Sequence, residues 1–113
     1  MNVLLVDDDS DCLETLLELM EALDHSCTVS EDPRDALEQF VSQTFDLVIT
    51  DFRMPCMNGR ELARKIRAQD PKPKIILLSG YYPVEESLPE SPFAAFLEKP
   101  VDIHELKSIL ISI

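Results

Sequence analysis

The stretch Asp46-Leu-Val-Ile-Thr-Asp51-Phe-Arg-Met-Pro-Cys-Met-Asn58-Gly59 constrains the architecture of this chain more than any other. It is uncharged from Leu47 to Thr50 and then reaches a single carboxylate, Asp51. A proline and an Asn-Gly pair follow shortly afterwards, and both are typical of loops. The pattern predicts a buried β-strand that brings Asp51 to the rim of a sheet.

Four other short apolar segments along the chain have the character of strands. The first and the fourth strand in chain order are apolar along almost their whole length, as expected of strands that are covered on both faces. The predicted strands are residues 2–6, 26–29, 46–50, 74–79 and 94–97.

Apolar residues at three- and four-residue spacing predict helices between these strands. The residues that signal the helix starts are Ser10, Asp32, Asn58 and Asp102. Glu105 completes a capping box at the last of them. Before the last strand, Pro83 and Pro89 leave room for only a short or irregular fourth helix between Val84 and Leu88.

Strands that alternate with helices predict parallel βαβ units with right-handed crossovers. The expected fold class is therefore α/β, as a flavodoxin-like, doubly wound, five-stranded parallel sheet in the order 2-1-3-4-5. At 113 residues, of which 45% are apolar, the chain is expected to form a single domain, 1–113.

The composition argues against several classes of protein. The longest apolar run is far shorter than a membrane span, and no segment has the pattern of a secretion signal. Cys12, Cys27 and Cys56 are odd in number and widely spaced, which argues against a disulfide framework and against a zinc site. We therefore expect a cytoplasmic protein that does not enter a membrane.

The chain is strongly acidic. It carries 10 basic and 22 acidic residues, for a net charge of −12, and the basic residues form no large patch. Because contacts with phosphates need clustered Lys and Arg side chains, direct binding to nucleic acid is not expected.

The acidic residues of interest lie at neighbouring strand ends. In the order 2-1-3-4-5, strands 1 and 3 are adjacent, and ligands bind outside their carboxyl ends. Those ends carry Asp7 and Asp8 on one strand and Asp51 on the other. Two like charges 4 Å apart would cost on the order of 4 kcal/mol at an effective dielectric constant of about 20. The group therefore needs raised pKa values or a cation, and an all-oxygen ligand set favours Mg2+ over Zn2+.

Another interpretation of the acidic run is a helix start that the helix dipole stabilises. This role suits Asp9, or Asp11 in the first turn, better than it suits Asp7 and Asp8.

Two further strands end in polar residues at the same rim. Strand 4 ends in Ser79, and strand 5 is followed by Lys99. With a metal ion they would form a site for a phosphoryl group. In this site Asp51 accepts the group, Lys99 and the ion neutralise its oxygens, and Ser79 donates a hydrogen bond to it.

Four segments together resemble the response-regulator receiver domains of two-component phosphorelay systems. These segments are Val3-Leu-Leu-Val-Asp-Asp8, Asp46 to Gly59, Leu78-Ser-Gly80 and Phe96-Leu-Glu-Lys-Pro100. The resemblance covers essentially the whole chain. It implies that Asp51 takes a phosphoryl group from a histidine kinase or a histidine phosphotransfer protein. It also implies that the phosphorylated form switches a surface that binds a protein target, and it leaves a homodimer open.

The resemblance implies a ligand set for Mg2+. Asp8 would ligate the ion directly, and Asp7 would act largely through water. Asp51 and the backbone carbonyl of Arg53 would be further ligands.

The resemblance also implies a switch. Ser79 would be the switch hydroxyl, Lys99 would pair with the phosphoryl group, and Phe96 would be the aromatic residue that turns inward behind them. Lys99-Pro100 is a candidate cis peptide, since X-Pro bonds adopt this form at modest cost.

Two other functions compete with this prediction. A small Mg2+-dependent phosphohydrolase often carries Asp-x-Asp on its first strand, and Asp7 and Asp9 have that spacing. A receiver-like domain used only for protein interaction is the second alternative. We expect a phosphoacceptor switch that is not an enzyme beyond its own phosphorylation and dephosphorylation. It could stand alone, belong to a larger regulator or belong to a hybrid histidine kinase.

Overall fold

The computed structural model describes residues 1–80 and 91–113. Strands and helices alternate as predicted as far as residue 79, and two elements, a strand and a helix, are described after residue 90. The strands are β1 Asn2–Val6, β2 Ser26–Ser30, β3 Leu47–Asp51, β4 Lys74–Ser79 and β5 Ala95–Glu98. The helices are α1 Ser10–Ala22, α2 Pro33–Ser42, α3 Gly59–Gln69 and α4 Ile103–Ser112. The short fourth helix predicted for residues 84–88 lies outside the described residues.

The five strands form one parallel sheet in the order β2-β1-β3-β4-β5, which confirms the predicted fold class. The register pairs Val6 with Thr50, and Asp51 with Leu78. Because Asp51 still pairs with β4, β3 ends one residue later than predicted. The carboxyl ends of β1, β3, β4 and β5 therefore meet along one rim of the sheet.

Each face of the sheet is covered by helices, and successive strand residues point to opposite faces. One core lies between the sheet and helices α2 and α3. Its buried residues are Leu4, Val6, Ala36, Phe40, Phe45, Val48, Leu62, Ala63, Ile66, Ile75, Leu77 and Phe93. The other core lies against α1 and α4. Its buried residues are Val3, Leu5, Leu13, Leu16, Met20, Leu47, Ile49, Ile76, Leu78, Leu97 and Leu106.

The helices begin with side-chain caps. Asp32 and Asp102 cap α2 and α4 as predicted. A reciprocal capping box forms at α3, between Asn58 and Glu61, whereas at α4 the structure shows one half of the predicted box, the hydrogen bonds that Asp102 accepts from His104 and Glu105. The predicted cap of α1 was wrong, because Asp9 rather than Ser10 accepts hydrogen bonds from the first free backbone N–H groups. An aspartate at this position also brings negative charge to the positive end of the helix dipole. Among the described residues, no helix is both long enough and apolar enough to cross a lipid bilayer.

The C-terminus of α1 forms a Schellman motif with an unusual residue. The N–H of His25 donates to the carbonyl of Met20 at 3.1 Å, and the N–H of Asp24 donates to the carbonyl of Glu21 at 3.0 Å. The motif requires the residue after the helix C-cap to adopt a left-handed backbone conformation. Asp24 occupies this position with φ 66°. A glycine would adopt this conformation without steric cost.

We expect Asp24→Gly to raise the free energy of unfolding by about 1 kcal/mol relative to Asp24→Ala. Both substitutions remove the same charge, so the difference between them isolates the backbone strain at φ 66°. Urea denaturation followed by circular dichroism measures it. Equal stabilities for the two variants would contradict this account of the cap.

Candidate functional site

Three carboxylates meet where β1 and β3 end. Each of Asp7, Asp8 and Asp51 offers an oxygen, and these oxygens lie within 4.8 Å of one another. Asp7 is fully buried, Asp51 is 7% exposed, and Asp8 is exposed. The adjacency of β1 and β3 produces this proximity, as the strand order predicted.

Lys99 supplies the positive charge at this site. Its Nζ lies 2.9 Å from Asp7 Oδ2 and 3.1 Å from Asp51 Oδ1. The backbone holds the lysine there, because the N–H of Lys99 donates to the carbonyl of Ser79 at 2.9 Å. This hydrogen bond joins the ends of β4 and β5 beside the acidic group, at the rim where the sequence placed Ser79 and Lys99.

The electrostatic balance of the group favours a further cation. Burial raises the pKa of Asp51, the charge of Asp7 raises it further, and Lys99 only partly reverses the shift. Burial lowers the pKa of Lys99, but the hydrogen bonds and charges of Asp7 and Asp51 outweigh this effect and hold that pKa above its ordinary value. The lysine therefore stays charged. With all three carboxylates ionised, one ammonium group leaves an excess charge of −2.

The donor atoms fit a hard divalent ion. Asp7 Oδ1 accepts a hydrogen bond from the N–H of Asp9 at 3.0 Å. Asp7 Oδ2 is buried and pairs with the ammonium group of Lys99 at 2.9 Å. Carboxylate oxygens are the ligands that Mg2+ prefers, and exposed Asp8 leaves one side of the group open to water. Asp7, Asp8 and Asp51 are thus suited to hold Mg2+.

Asp9 and Cys12 lie near this group but have other roles. Asp9 Oδ1 accepts hydrogen bonds from the N–H groups of Asp11 and Cys12, so this carboxylate caps α1 and does not join the acidic group. This placement does not support the Asp7-x-Asp9 pattern of a phosphohydrolase. Burial raises the pKa of the Cys12 thiol to about 11, so the thiol adds no negative charge at neutral pH.

The other predicted site residues surround an open cleft beside Asp51. Arg53, Ser79 and Gly80 line this cleft together with Lys99. Arg53 is exposed just past the end of β3, and Ser79 is partly buried as the last residue of β4. The cleft therefore leaves one side of the Asp51 carboxylate open to solvent.

Phe96 lies on β5, paired with Leu77 of β4. It is partly buried against the core on the α2 and α3 side, and its ring centroid is 6.1 Å from that of Phe93. The peptide bond between Lys99 and Pro100 is cis, which confirms that prediction.

The backbone at the end of β3 is fixed by contacts and hydrogen bonds that the sequence did not predict. A Cβ atom on Gly59 would lie 2.3 Å from the carbonyl oxygen of Asp51, so only glycine fits at this approach. The N–H of Gly59 donates to the carbonyl of Phe52 at 2.8 Å, and the hydroxyl of Thr50 donates to the carbonyl of Asp51 at 2.9 Å. The Asn-Gly pair signalled the helix start but not this contact. The apolar strand around Thr50 likewise gave no signal that its hydroxyl would bond to the backbone.

A family model, the response regulator receiver domain, matches residues 3–111. The chain belongs to the response-regulator receiver family. This receiver domain is similar to the response regulator receiver protein CpdR of Brucella abortus, at 33% identity over 92% of this chain and 88% of that protein. It is also similar to the transcriptional regulatory protein ZraR of Escherichia coli, at 31% identity over 97% of this chain. The chain spans about a quarter of the length of ZraR and of another curated relative, the DNA-binding transcriptional regulator NtrC of Escherichia coli.

Solved structures show the same fold. The signal receiver domain of an HD domain-containing protein from Pseudomonas fluorescens Pf-5 superposes with a TM-score of 0.89 at 31% identity, over 98% of this chain and 91% of that one. The response regulator TrrA from Thermotoga maritima, in complex with Mg2+ and beryllium fluoride, superposes with a TM-score of 0.87 at 31% identity. That match covers 98% of this receiver domain and 96% of TrrA.

Without divalent ions at pH 7, we expect Asp51→Asn to raise the free energy of unfolding by on the order of 1 kcal/mol, which raises Tm by about 4–8 °C. Because the pKa of Asp51 is raised in the folded state, the unfolded state loses this proton first as the pH rises. Ionisation of Asp51 then destabilises the fold above the ordinary carboxyl pKa. The advantage of the Asn variant should vanish at lower pH, where Asp51 is protonated in both states.

Thermal denaturation between pH 3 and pH 8 measures this effect, with Glu38→Gln on the exposed face of α2 as the matched control for lost charge. A Tm gain for Asp51→Asn no larger than that of the control would show that the gain does not come from removing a charge in the buried carboxylate group. So would a gain that persists unchanged at pH 3.

We expect Gly59→Ala to lower the free energy of unfolding by about 2–4 kcal/mol, because its Cβ would meet the backbone of Asp51 at 2.3 Å. Gly80→Ala is the control, since a Cβ there has no atom of residues 1–80 or 91–113 within 4 Å. Chemical denaturation of both variants tests the difference. A Gly59→Ala protein as stable as the Gly80→Ala protein would show that the backbone can yield at this point.

Proposed function

We propose that this receiver domain accepts a phosphoryl group on Asp51 from a phosphohistidine, with Mg2+ bound, and thereby switches a protein-binding surface. The observation that carries the proposal is the position of the Asp51 carboxylate. It lies 3.1 Å from Lys99 Nζ, shares an acidic group with Asp7 and Asp8, and opens onto a cleft. Membership of the receiver family gives this arrangement its functional context.

The transfer uses Asp51 as the nucleophile. One of its oxygens attacks phosphorus, and the P–N bond to the imidazole of the donor breaks. The imidazole nitrogen leaves with the electron pair of that bond and takes a proton from solvent, so that the aspartyl phosphate carries two negative charges. The ammonium group of Lys99 lies 3.1 Å from Asp51 Oδ1, where it can stabilise the negative charge of the incoming oxygens.

Asp7, Asp8, Asp51 and the backbone carbonyl of Arg53 would hold Mg2+. The ion, when bound, supplies positive charge that neutralises phosphoryl oxygens. Its charge also offsets the excess of −2 that the carboxylates leave beside Lys99, so ion binding and folding stabilise each other.

The switch follows from the added charge. Phosphorylation places about −1.5 to −2 charges at the end of β3. Ser79, at the end of the adjacent β4, would turn its hydroxyl toward the phosphoryl oxygens, and Phe96 on β5 would move inward behind it. Such a change is a shift between two populations of the domain, and it alters the surface that a target protein recognises.

The partners follow from the same chemistry. The donor is a histidine kinase or a histidine phosphotransfer protein, and the receptor of the signal is a protein target rather than nucleic acid. The domain would act in the cytoplasm as a switch and not as an enzyme that turns over a substrate. A hybrid histidine kinase, a larger regulator and a stand-alone or dimeric receiver are the settings compatible with this role.

We expect the purified domain, incubated with acetyl phosphate or phosphoramidate and Mg2+, to gain the mass of one phosphoryl group. Asp51→Asn should gain none, because an amide cannot act as the nucleophile. Intact-mass spectrometry measures the adduct, and Glu38→Gln serves as a control for a changed charge remote from the site. An equal adduct on Asp51→Asn, or none on the wild type, would disprove the proposal.

The same incubations separate the switch from a hydrolase. A receiver should stop at one phosphoryl group per chain, whereas a phosphohydrolase would release inorganic phosphate continuously from an ester such as p-nitrophenyl phosphate. Many turnovers of the ester that disappear in Asp51→Asn would overturn the assignment as a switch.

A further inference from the structure

Thr50 is a buried polar residue for which the proposed phosphoryl transfer has no role. It is fully buried on β3, with Val6 beside it on β1 and Leu77 beside it on β4. A valine would have nearly the same shape, and it would avoid burying a hydroxyl group in these apolar surroundings. The hydroxyl instead forms a hydrogen bond, in which Thr50 Oγ1 donates to the backbone carbonyl of the next residue, Asp51, at 2.9 Å.

That carbonyl oxygen is held from more than one side. The absence of a side chain on Gly59 lets the start of α3 pack directly against it, since a Cβ atom would come within 2.3 Å. One residue later, the carbonyl of Phe52 accepts the N–H of Gly59 at 2.8 Å. The hydroxyl of Thr50 thus contributes the side-chain hydrogen bond to a peptide unit that α3 also fixes by contact.

The orientation of this peptide unit affects how the residue before it, Asp51, and the loop after it are placed relative to each other. The peptide plane between Asp51 and Phe52 starts at the Cα atom that carries the phosphoacceptor side chain. It is also the first link of the loop that brings Arg53 to the cleft. A rotation of this plane would therefore redirect the carbonyl groups that follow, relative to an Asp51 carboxylate that stays on its strand.

We propose that Thr50 is a positioning residue, whose hydroxyl locks the Asp51–Phe52 peptide so that the Asp51 carboxylate and the Arg53 carbonyl face the same ion and phosphoryl group. The residue acts through the backbone and touches neither the ion nor the donor. The inference rests on the proposed function, since it assigns Thr50 to the same site. Groups that hydrogen-bond directly to metal ligands typically change affinity or activity by about 10–100-fold when they are lost, and because Thr50 acts through the backbone we expect an effect at the lower end of this range.

Three variants separate positioning from packing. Thr50→Val keeps the shape and loses the hydroxyl, whereas Thr50→Ser keeps the hydroxyl and loses a methyl group. Ile75→Val removes one methyl group from the buried core on the same side of the sheet and leaves the Asp51 peptide untouched. The measurements are the Mg2+ dissociation constant by calorimetry, the rate of adduct formation with phosphoramidate, and the carbonyl 13C chemical shift of Asp51 in ion-free protein.

We expect Thr50→Val to raise the Mg2+ dissociation constant and to slow adduct formation, each by about tenfold. It should also shift the Asp51 carbonyl resonance. Thr50→Ser and Ile75→Val should stay within about twofold of the wild type in both quantities, because neither change removes the hydrogen bond. Loss of stability alone would affect Thr50→Ser and Ile75→Val as well, so it cannot produce this pattern.

Thr50→Val with unchanged Mg2+ affinity and unchanged adduct rate would overturn the inference while leaving the proposed function intact. So would equal losses in Thr50→Val and Ile75→Val. Failure of the proposed function looks different, because the wild type itself would then form no adduct. In that case the Mg2+ affinities and the carbonyl shift still decide whether Thr50 orients the site.

Discussion

Repulsion among carboxylates at the ends of β1 and β3 is the constraint on which the site depends. Asp7 and Asp51 are buried there, and one ammonium group, that of Lys99, lies within 3.1 Å of both. The sheet forces this arrangement, because adjacent parallel strands deliver their ends to the same place. Burial makes each unbalanced charge more costly than it would be in water. The two apolar cores must offset that cost, and a divalent ion or protonation of Asp51 can relieve it.

The backbone beyond β3 is a second constraint, and it links the charged site to the packing of α3. Gly59 allows α3 to start against the carbonyl oxygen of Asp51, and the capping box of Asn58 and Glu61 holds that helix start. Movement of the Asp51 peptide would therefore disturb a helix that packs on the core. This coupling gives a local event at one carboxylate a route into the rest of the fold.

Sequence patterns were sufficient for the strand order and for the residues that meet at the rim. Apolar strands alternating with helices leave few parallel topologies, and the polar residues that matter follow those strands directly. The exact residue at which an element begins or ends was harder to predict. Asp9 and Ser10 can both cap a helix, and only the path of the chain after β1 selects Asp9. The end of β3 likewise depends on pairing with Leu78, which lies far away in sequence.

The sequence by itself determined the parallel α/β architecture and the candidate site of Asp7, Asp8, Asp51, Ser79 and Lys99, because periodicity and residue type at strand ends are local properties. Tertiary structure alone decided which atoms touch. The ammonium group between Asp7 and Asp51, the close approach of Gly59 and the hydroxyl of Thr50 on the Asp51 carbonyl arise from packing between segments or from rotamers selected by that packing. Distances of this kind depend on the whole core, so no local pattern in the sequence could specify them.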